Sequence, residues 1–332
     1  MDHPELFCKD LPSKSSSPIG RILVTGASGY VGSRLVTELI ARGYKVRLMV
    51  RGKAEVYKKR WREAEVGVAD AFNVDHLRAV LQGIDAAYYL IHSLNLGPTD
   101  FESADEKAAV NFKTAAEENG VNRLIYLGGL GDVGSRLSHH LGSRTDVAIR
   151  LMMGRLPVTT IRAAIIIGSG GSSYEIIHHL VKNLPVIVPP PWAKTKCQPI
   201  ALRDLIKYLV GVLETPEASE GFFDAGGRDI LTYEDMLKIF AKIMNKKILF
   251  VPSPFNCISF YSQVASLITP SSYAVIRCLF ESLQNEVVCQ DDQIRRLVPF
   301  EPMSYKESIL EAFTQEKQAA SRTSEGLHAA HV

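Results

Sequence analysis

Three glycines, Gly26, Gly29 and Gly32, recur at a spacing of three residues directly after the short apolar run at residues 21–24. The run is typical of a strand buried in a parallel sheet, and the apolar spacing after Gly32 is that of a helix. A turn that joins such a strand to a helix presents free N–H groups, which bind phosphate. Gly26 would permit the turn, Gly29 the close approach of a pyrophosphate, and Gly32 the packing of the helix. Residues 25–32 are therefore interpreted as the phosphate-binding turn of a dinucleotide site, and this context disfavours a glycine-rich turn without a ligand.

The elements that must position this turn alternate between strand and helix. The sequence predicts strands at residues 21–24, 45–50, 65–68, 86–91, 123–127 and 158–167, and helices at residues 32–42, 75–81, 100–119 and 145–153. This alternation predicts an α/β fold with a doubly wound parallel sheet, the Rossmann arrangement, over residues 21–168.

The end of the second predicted strand bears on the choice of cofactor. An acidic residue there would bind the ribose 2′-hydroxyl of NAD, but the sequence has Arg51, which can pair with the 2′-phosphate of NADP. NADP is therefore the preferred prediction; NAD stays possible, because Arg51 could instead belong to a solvated basic loop. Asp70 is placed to meet the adenine ring, and residues 90–92 run beside the cofactor at a strand end. The predicted cofactor contacts are Gly26, Ser28, Gly29, Tyr30, Val31, Gly32, Arg51, Asp70, Ala71, Leu90, Ile91 and His92.

With these motifs the sequence resembles the short-chain dehydrogenase/reductase superfamily from Arg21 to about Phe313. The Thr-Gly-x-x-Gly-x-x-Gly pattern is typical of its extended and atypical branches, in particular a bacterial NAD(P)-binding, epimerase/dehydratase-like group. The other segments that carry the resemblance are residues 66–70, 83–93, 111–112, 123–131, 160–168, 198–205 and 281–288.

The resemblance implies a serine, and a tyrosine and lysine at Tyr-x-x-x-Lys spacing, as the working residues. Here Gly128 or Gly129 occupies the serine position, and His140 and Arg144 occupy the tyrosine and lysine positions. Residues four apart share a helix face, so both could point at the nicotinamide. We expect the charge of Arg144 to lower the pKa of His140, which could then donate a hydrogen bond to a carbonyl as a neutral imidazole. Arg144 could stabilise an oxyanion or hold a ribose hydroxyl; the alternative is that both are surface or capping residues.

Other histidines give weaker signals. His92 and Ser93 are a second candidate pair at a strand end, where a packed polar residue is the alternative. His178 and His179 are adjacent on a predicted helix and should point in different directions, so no metal is predicted there or elsewhere.

The second half of the chain is expected to form a smaller, mostly helical substrate lobe at residues 169–314, with segments at about 200–225 returning to the sheet. Thr232 is the predicted N-cap of one helix. Residues 255–280 are unusually apolar but interrupted by polar residues, so a membrane-spanning helix is not predicted. A buried helical pair that lines an apolar pocket is favoured over a surface for a membrane or a partner. Such a pocket would suit a lipophilic small-molecule substrate.

Composition sets limits on the class of protein. A net charge of +2 gives no argument for nucleic-acid binding, and the five cysteines are odd in number and widely separated. Reduced thiols and a polar, acidic start without signal-peptide features favour the cytoplasm. Residues 1–20 are predicted to be a flexible lead-in and residues 315–332 a flexible tail. No pattern in the sequence specifies an oligomeric state.

Two functions follow from these observations. The first is an NADPH-dependent reductase of a lipophilic carbonyl or quinone-type molecule, in which the cofactor carries the hard chemistry. Because the usual serine, tyrosine and lysine are replaced, the alternative is a non-catalytic NADP(H)-binding redox sensor, or an assembly or regulatory protein.

Overall fold

Parallel strands dominate the computed structural model of this protein, which describes residues 6–12, 19–92, 101–131 and 137–329. The strands in chain order are β1 Arg21–Val24, β2 Lys45–Val50, β3 Glu65–Val68, β4 Ala86–Tyr89, β5 Arg123–Gly129, β6 Val158–Ala163, β7 Ile166–Ile167, β8 Val186–Ile187, β9 Lys196–Cys197, β10 Ile200–Ala201, β11 Gly221–Ala225, β12 Leu231–Thr232 and β13 Leu249–Phe250. The helices are α1 Tyr30–Ala41, α2 Ala54–Arg60, α3 Val74–Leu81, α4 Phe101–Glu118, α5 His139–Met152, α6 Ser172–Asn183, α7 Leu202–Leu213, α8 Tyr233–Ile243, α9 Ile258–Ile268, α10 Tyr273–Ser282, α11 Gln293–Leu297 and α12 Tyr305–Ala329. Short 3₁₀ turns lie at Pro191–Lys194 and Pro216–Ala218.

The main sheet contains seven strands in the order β11-β6-β5-β4-β1-β2-β3, and every neighbouring pair is parallel. The strand order reverses between β1 and β4, because β1 pairs with β2 on one side and β4 on the other. Ligands of such sheets bind beyond the carboxyl ends of the strands at this reversal. The predicted α/β doubly wound fold is confirmed, and β11 returns to the sheet beside β6.

Alternate side chains of the strands enter two different cores. Ile22 and Val24 of β1 pack with α1 and α7 on one face of the sheet. Leu23 packs with α3, α4 and α5 on the other face. Because helices cover both faces of the sheet, strands such as β1 are apolar at successive positions. Such strands can be predicted from the sequence.

The C-terminal lobe has its own apolar cores. One joins α6, α8 and α12, and a smaller one joins α9 and α10 around Trp192. Thr232 caps α8 as predicted: its hydroxyl accepts from the Asp235 N–H, and the Asp235 carboxylate accepts from the Thr232 N–H.

Several local predictions need correction. Residues 6–12 are not a flexible lead-in, because Phe7, Cys8 and Leu11 are buried and the Glu38 carboxylate accepts the N–H groups of Phe7 and Cys8. Helix α12 extends beyond the predicted boundary at residue 315 and ends at Ala329. α5 starts at His139, six residues earlier than predicted, since Ser138 caps it by accepting the Leu141 N–H.

Candidate nucleotide and proton-transfer site

The glycine turn joins β1 to α1 in the predicted way. Gly26 has a φ of +61°, and the Gly29 N–H donates to the Gly26 carbonyl at 2.9 Å. Gly29 is the N-cap of α1 and offers no side chain to accept the first N–H groups, and the first turn carries no acidic residue. The amino end of α1 therefore keeps the partial positive charge that favours a phosphate.

Steric contacts explain why these positions are glycine. A Cβ at Gly26 would lie 2.7 Å from the Leu90 carbonyl oxygen. A Cβ at Gly32 would lie 2.3 Å from the Gly26 carbonyl oxygen, so the first turn of α1 can approach the β1 turn only without a side chain. Thr25, the first residue of this turn, ties β1 to β4: its hydroxyl donates to Tyr88 O at 3.0 Å and accepts from the Leu90 N–H at 2.9 Å. Sequence reasoning placed Thr25 in the turn but assigned no role to its hydroxyl.

A cavity of about 710 Å³ lies at the carboxyl ends of the strands, beside this turn. All the predicted site residues line it, namely Gly26, Ser28, Gly29, Tyr30, Val31, Gly32, Arg51, Asp70, Ala71, Leu90, Ile91, His92, His140 and Arg144. Residues separated by more than a hundred positions are thus brought to one cavity, whose volume lies in the range usual for small-molecule sites. Ser93, the other member of the second candidate pair, lies outside the described residues.

Arg51 is the basic residue of its loop that lines the cavity. On α2, which follows this loop, Lys58 pairs with Glu55 at 2.8 Å and the Arg60 guanidinium lies 4.3 Å from the centre of the Trp61 ring. Within the described residues no carboxylate forms an ion pair with Arg51. Its guanidinium is thus available to an anionic group on a ligand.

The end of β3 forms a second wall of the cavity. The Asp70 carboxylate accepts the Phe72 N–H at 2.9 Å, which holds the turn after β3. The Asn111 side chain on α4 donates to the carbonyl oxygen of Ala71 at 3.1 Å. Phe72 is 44% exposed and lines the cavity, although the sequence analysis did not single it out.

Four polar side chains at the far side of the cavity form a continuous hydrogen-bonded chain. His92 Nδ1 lies 2.8 Å from Asp105 Oδ2, and His92 Nε2 lies 3.1 Å from His140 Nε2. His140 Nδ1 lies 3.0 Å from the Ser282 hydroxyl. The four residues come from the segment after β4, from α4, from the first turn of α5 and from the end of α10. Asp105 and Ser282 were missed, because no local pattern marks residues that meet only in the folded chain.

Burial and the charge of Arg144 disfavour the protonated forms of His92 and His140. The pKa of His140 is lowered to about 3, first by burial and then by the neighbouring His92 and the Arg144 charge. The pKa of His92 is also lowered, by burial and by Arg144, although Asp105 opposes the shift. The expected direction for His140 is therefore found, but burial is the larger cause.

Arg144 is buried and engaged with the backbone. Its guanidinium donates to the carbonyl oxygens of Ile91, at 3.3 Å, and of Leu127, and it lies 4.9 Å from the centre of the Tyr126 ring. Arg144 is 7% exposed, so the alternative of a surface residue does not hold for it. The side chain links the segment after β4 to β5 at the cavity wall.

The glycines at the end of β5 leave room for α5. A Cβ at Gly129 would lie 3.0 Å from Leu141 Cδ2, and one at Gly128 would lie 3.1 Å from the Tyr126 ring. A serine at Gly129 would therefore crowd the first turn of α5, which carries His140.

The apolar segment at residues 255–280 is only partly buried, and the expectation of burial is wrong for one of its two helices. α10 buries Val275, Ile276 and Phe280, and Leu279 lines the cavity. α9 instead exposes Phe260 by 59% and Leu267 by 79%, because only one side of it meets the rest of the lobe. Among the described residues, no helix is both long and apolar enough to cross a membrane.

Glu175, His178 and His179 on α6 each place a potential ligand atom within 4.8 Å of the others. The sequence analysis expected the side chains of His178 and His179 to point in different directions. That expectation is wrong for their potential ligand atoms. His179 Nδ1 is already engaged, since it lies 2.8 Å from the Glu175 carbonyl oxygen.

Comparison with known proteins agrees with this geometry. Residues 26–165 match the profile of a family described as NAD(P)H-binding. This region is an NAD(P)-binding domain with the Rossmann fold. The match covers Gly26 to Gly32, Arg51 and the β6 strand, and it supports a nicotinamide cofactor without distinguishing NAD from NADP.

Three proteins illustrate the likeness. A divinyl chlorophyllide a 8-vinyl-reductase of Arabidopsis thaliana is 23% identical over 258 residues, which are 72% of this chain and 61% of that protein. A nucleoside-diphosphate-sugar epimerase of Staphylococcus aureus superposes with a TM-score of 0.73 at 18% identity, covering 88% of this chain and 99% of that one. The Citrobacter sp. triphenylmethane reductase, solved with NADP(H), superposes with a TM-score of 0.72 at 16% identity and covers 88% and 99%.

The matches to the curated relatives cover only 31% to 61% of the length of each relative. The two solved structures are less than 25% identical to this chain in sequence, so their similarity shows the fold alone.

Proposed function

We propose that this protein is an NADPH-dependent reductase that acts on the carbonyl group of a lipophilic small molecule, such as a quinone, an isoprenoid or an aromatic carbonyl compound. One observation carries the proposal: the phosphate turn at Gly26–Gly32 and the His92–His140 pair line the same cavity. A nucleotide held by the turn and a substrate oxygen near His140 would therefore share one enclosed space.

The residues present fit a nicotinamide dinucleotide. The uncapped start of α1 and the glycine turn would hold the pyrophosphate, and Asp70 lies where the adenosine half would end. The unpaired Arg51 would bind the 2′-phosphate, which is the support for NADPH over NADH. When bound in its reduced form, the cofactor supplies a hydride to the substrate carbon.

The protein's own contribution is orientation and proton supply. His140 occupies the position that the resemblance assigns to the general acid, and its imidazole can pass a proton towards a carbonyl oxygen. Arg144 holds the ends of β4 and β5 together around this point, and its charge favours a developing oxyanion nearby.

The lining of the cavity supports a lipophilic substrate. Apolar side chains from the segment after β5, from α5, from α10 and from the segment after α10 line the cavity, namely Leu130, Leu141, Leu279, Leu283 and Val287. Apolar walls with a few convergent polar groups bind apolar ligands and orient them by their one polar atom. The five cysteines are unpaired, which supports a reducing, cytoplasmic setting for this reaction.

The test is NADPH oxidation by the purified protein with a panel of quinones and aromatic and isoprenoid carbonyl compounds. His140→Ala should lower kcat about 100-fold with at least one substrate, the usual contribution of general acid catalysis. His139→Ala is the matched control, because the His139 imidazole, next to His140 in the sequence, is 78% exposed. Unchanged turnover in His140→Ala would contradict the proposal. Tight NADPH binding with no turnover on any substrate would favour the redox-sensor alternative.

A further inference from the structure

The side chains of Asp105, His92, His140 and Ser282 form an unbroken hydrogen-bonded line that starts in a buried carboxylate and ends at a hydroxyl on the cavity wall. We propose that this line is a proton relay, in which Ser282 is the group that gives the proton to the substrate oxygen and Asp105 is a positioning residue. The inference rests on the proposed reductase function and adds a proton donor that no sequence motif marks.

One proton arrangement follows from counting hydrogens. Asp105 is 1% exposed, and in this arrangement its carboxylate is ionised and can only accept, so His92 carries its hydrogen on Nδ1. A neutral His92 then has a bare Nε2, which accepts the Nε2–H of His140. The bare Nδ1 of His140 accepts the hydroxyl hydrogen of Ser282.

A second arrangement uses the same heavy atoms and holds one more proton. His92 is then protonated on both nitrogens and paired with Asp105, and its Nε2–H donates to His140 Nε2. His140 carries its hydrogen on Nδ1 and donates to Ser282. The Ser282 hydroxyl is left to donate to the Cys278 carbonyl oxygen, 3.0 Å away, while also accepting from the Ser138 hydroxyl at 3.2 Å.

The difference of one proton is what a carbonyl reduction consumes. Hydride from the reduced nicotinamide forms the new C–H bond, and the π electrons of the C=O bond move to the oxygen. That oxygen takes the Ser282 hydroxyl proton, Ser282 takes the Nδ1 proton of His140, and His140 takes the Nε2 proton of His92. The chain ends in the first arrangement, the cofactor is oxidised and the carbonyl is reduced to an alcohol.

The solvent exposure of these side chains fits proton transfer from His92 towards Ser282. Asp105 is buried beneath the cavity, whereas the His92 side chain is 23% exposed and can take a replacement proton from water. Ser282 lies at the last residue of α10, between the apolar Leu279 and Leu283, so its hydroxyl is a polar point on an otherwise apolar wall. A substrate carbonyl that enters along this wall would meet Ser282 Oγ in place of Cys278 O.

The experiment compares Ser282→Ala and Asp105→Asn with the matched controls Ser266→Ala, on α9 away from the cavity, and Glu106→Gln, the half-exposed neighbour of Asp105 that pairs with Arg150. Turnover is measured from low to neutral pH in water and in deuterium oxide. Histidine ¹⁵N spectra of the free protein report the tautomers of His92 and His140 without any need for turnover. Circular dichroism checks that each variant is folded.

We expect Ser282→Ala to lower kcat about 100-fold or more with KM nearly unchanged and to reduce the solvent isotope effect, because a general acid usually contributes at least this much. Asp105→Asn should change the His92 tautomer and shift the pH profile. In the wild type the two histidine spectra should titrate together.

Three results would overturn the relay. Independent histidine titrations, unaltered in either variant, would show that the line does not couple its members. Turnover by Ser282→Ala equal to that of Ser266→Ala would remove Ser282 as donor, even if Asp105→Asn fails to fold. Coupled titrations in a wild type that reduces no acceptor would contradict the reductase function, and with it proton delivery, while leaving the hydrogen-bonded chain established.

Discussion

His92 Nε2 and His140 Nε2 lie 3.1 Å apart, with their ring centroids 5.1 Å apart and the rings tilted by 37°. Only one hydrogen can occupy the space between two such nitrogens, so the two imidazoles must adopt different tautomers or share an added proton. The contact also joins the segment after β4 to the start of α5 at the cavity wall. The protonation of either ring therefore depends on the other.

This pair predicts an acid-sensitive stability. The pKa of His140 is lowered to about 3 by burial, His92 and Arg144, whereas an unfolded histidine titrates near 6.5. Between these values the unfolded chain binds a proton that the folded chain does not. The free energy of unfolding should be constant above about pH 6.5 and fall as pH drops towards 3, by up to about 1.4 kcal/mol per pH unit for one such group. Urea unfolding across this range measures it.

Replacing the histidine provides the control. His140→Gln should flatten the dependence between pH 6.5 and 3, whereas His139→Gln, at an exposed position, should leave it as in the wild type. A His140→Gln slope equal to that of the wild type would show that His140 titrates normally in the folded protein.

Arg51 should decide between the two cofactors. Arg51→Ala should weaken NADPH binding by about 10- to 100-fold, because a charge-assisted hydrogen bond contributes about 1.5–3 kcal/mol, and should leave NADH binding nearly unchanged. Lys59→Ala, on the nearby helix α2 but away from the cavity, is the matched control in fluorescence titrations. Equal affinities of the wild type for NADPH and NADH would argue against the NADP preference.

Gly32 tests the phosphate turn. A Cβ there would lie 2.3 Å from the Gly26 carbonyl oxygen, so Gly32→Ala must displace either the turn or α1. Nucleotide affinity should fall at least about 10-fold, or about 1.4 kcal/mol, by calorimetry. Gly52→Ala adds a methyl group with no atom within 4 Å and should bind like the wild type. Wild-type affinity in Gly32→Ala would mean that the turn does not contact the nucleotide.

Arg144 should matter for stability as well as for the site. Arg144→Lys keeps the charge but cannot reproduce both bonds to Ile91 O and Leu127 O, and a buried acceptor left unpaired costs about 1–3 kcal/mol. The free energy of unfolding should fall by about this amount. Arg150→Lys, exposed on the same helix and paired with Glu106, should change it little. A stable Arg144→Lys that has lost nucleotide affinity would instead point to a contact with the ribose.

Much of the main sheet could be predicted because inner strands such as β1 and β4 are short, apolar and buried on both faces. The bounds of β1, β2 and β3 match the predicted ones, and the glycine turn lies where its spacing placed it. The start of α5 could not be predicted from periodicity, since it depends on the Ser138 cap. The burial of Phe7 and Cys8 depends on the distant Glu38, so the sequence around them resembles a flexible leader.

The sequence by itself determined the Rossmann arrangement, the phosphate turn and the substitution of His140 and Arg144 for the usual pair, because these depend on local spacing and strand order. Only the tertiary structure decided what those two residues contact. Arg144 reaches two backbone carbonyls, and His140 meets His92, Asp105 and Ser282, from separate parts of the chain. Hydrogen bonds between distant segments leave no periodic signal, and the pKa of a buried histidine depends on all the elements that surround it.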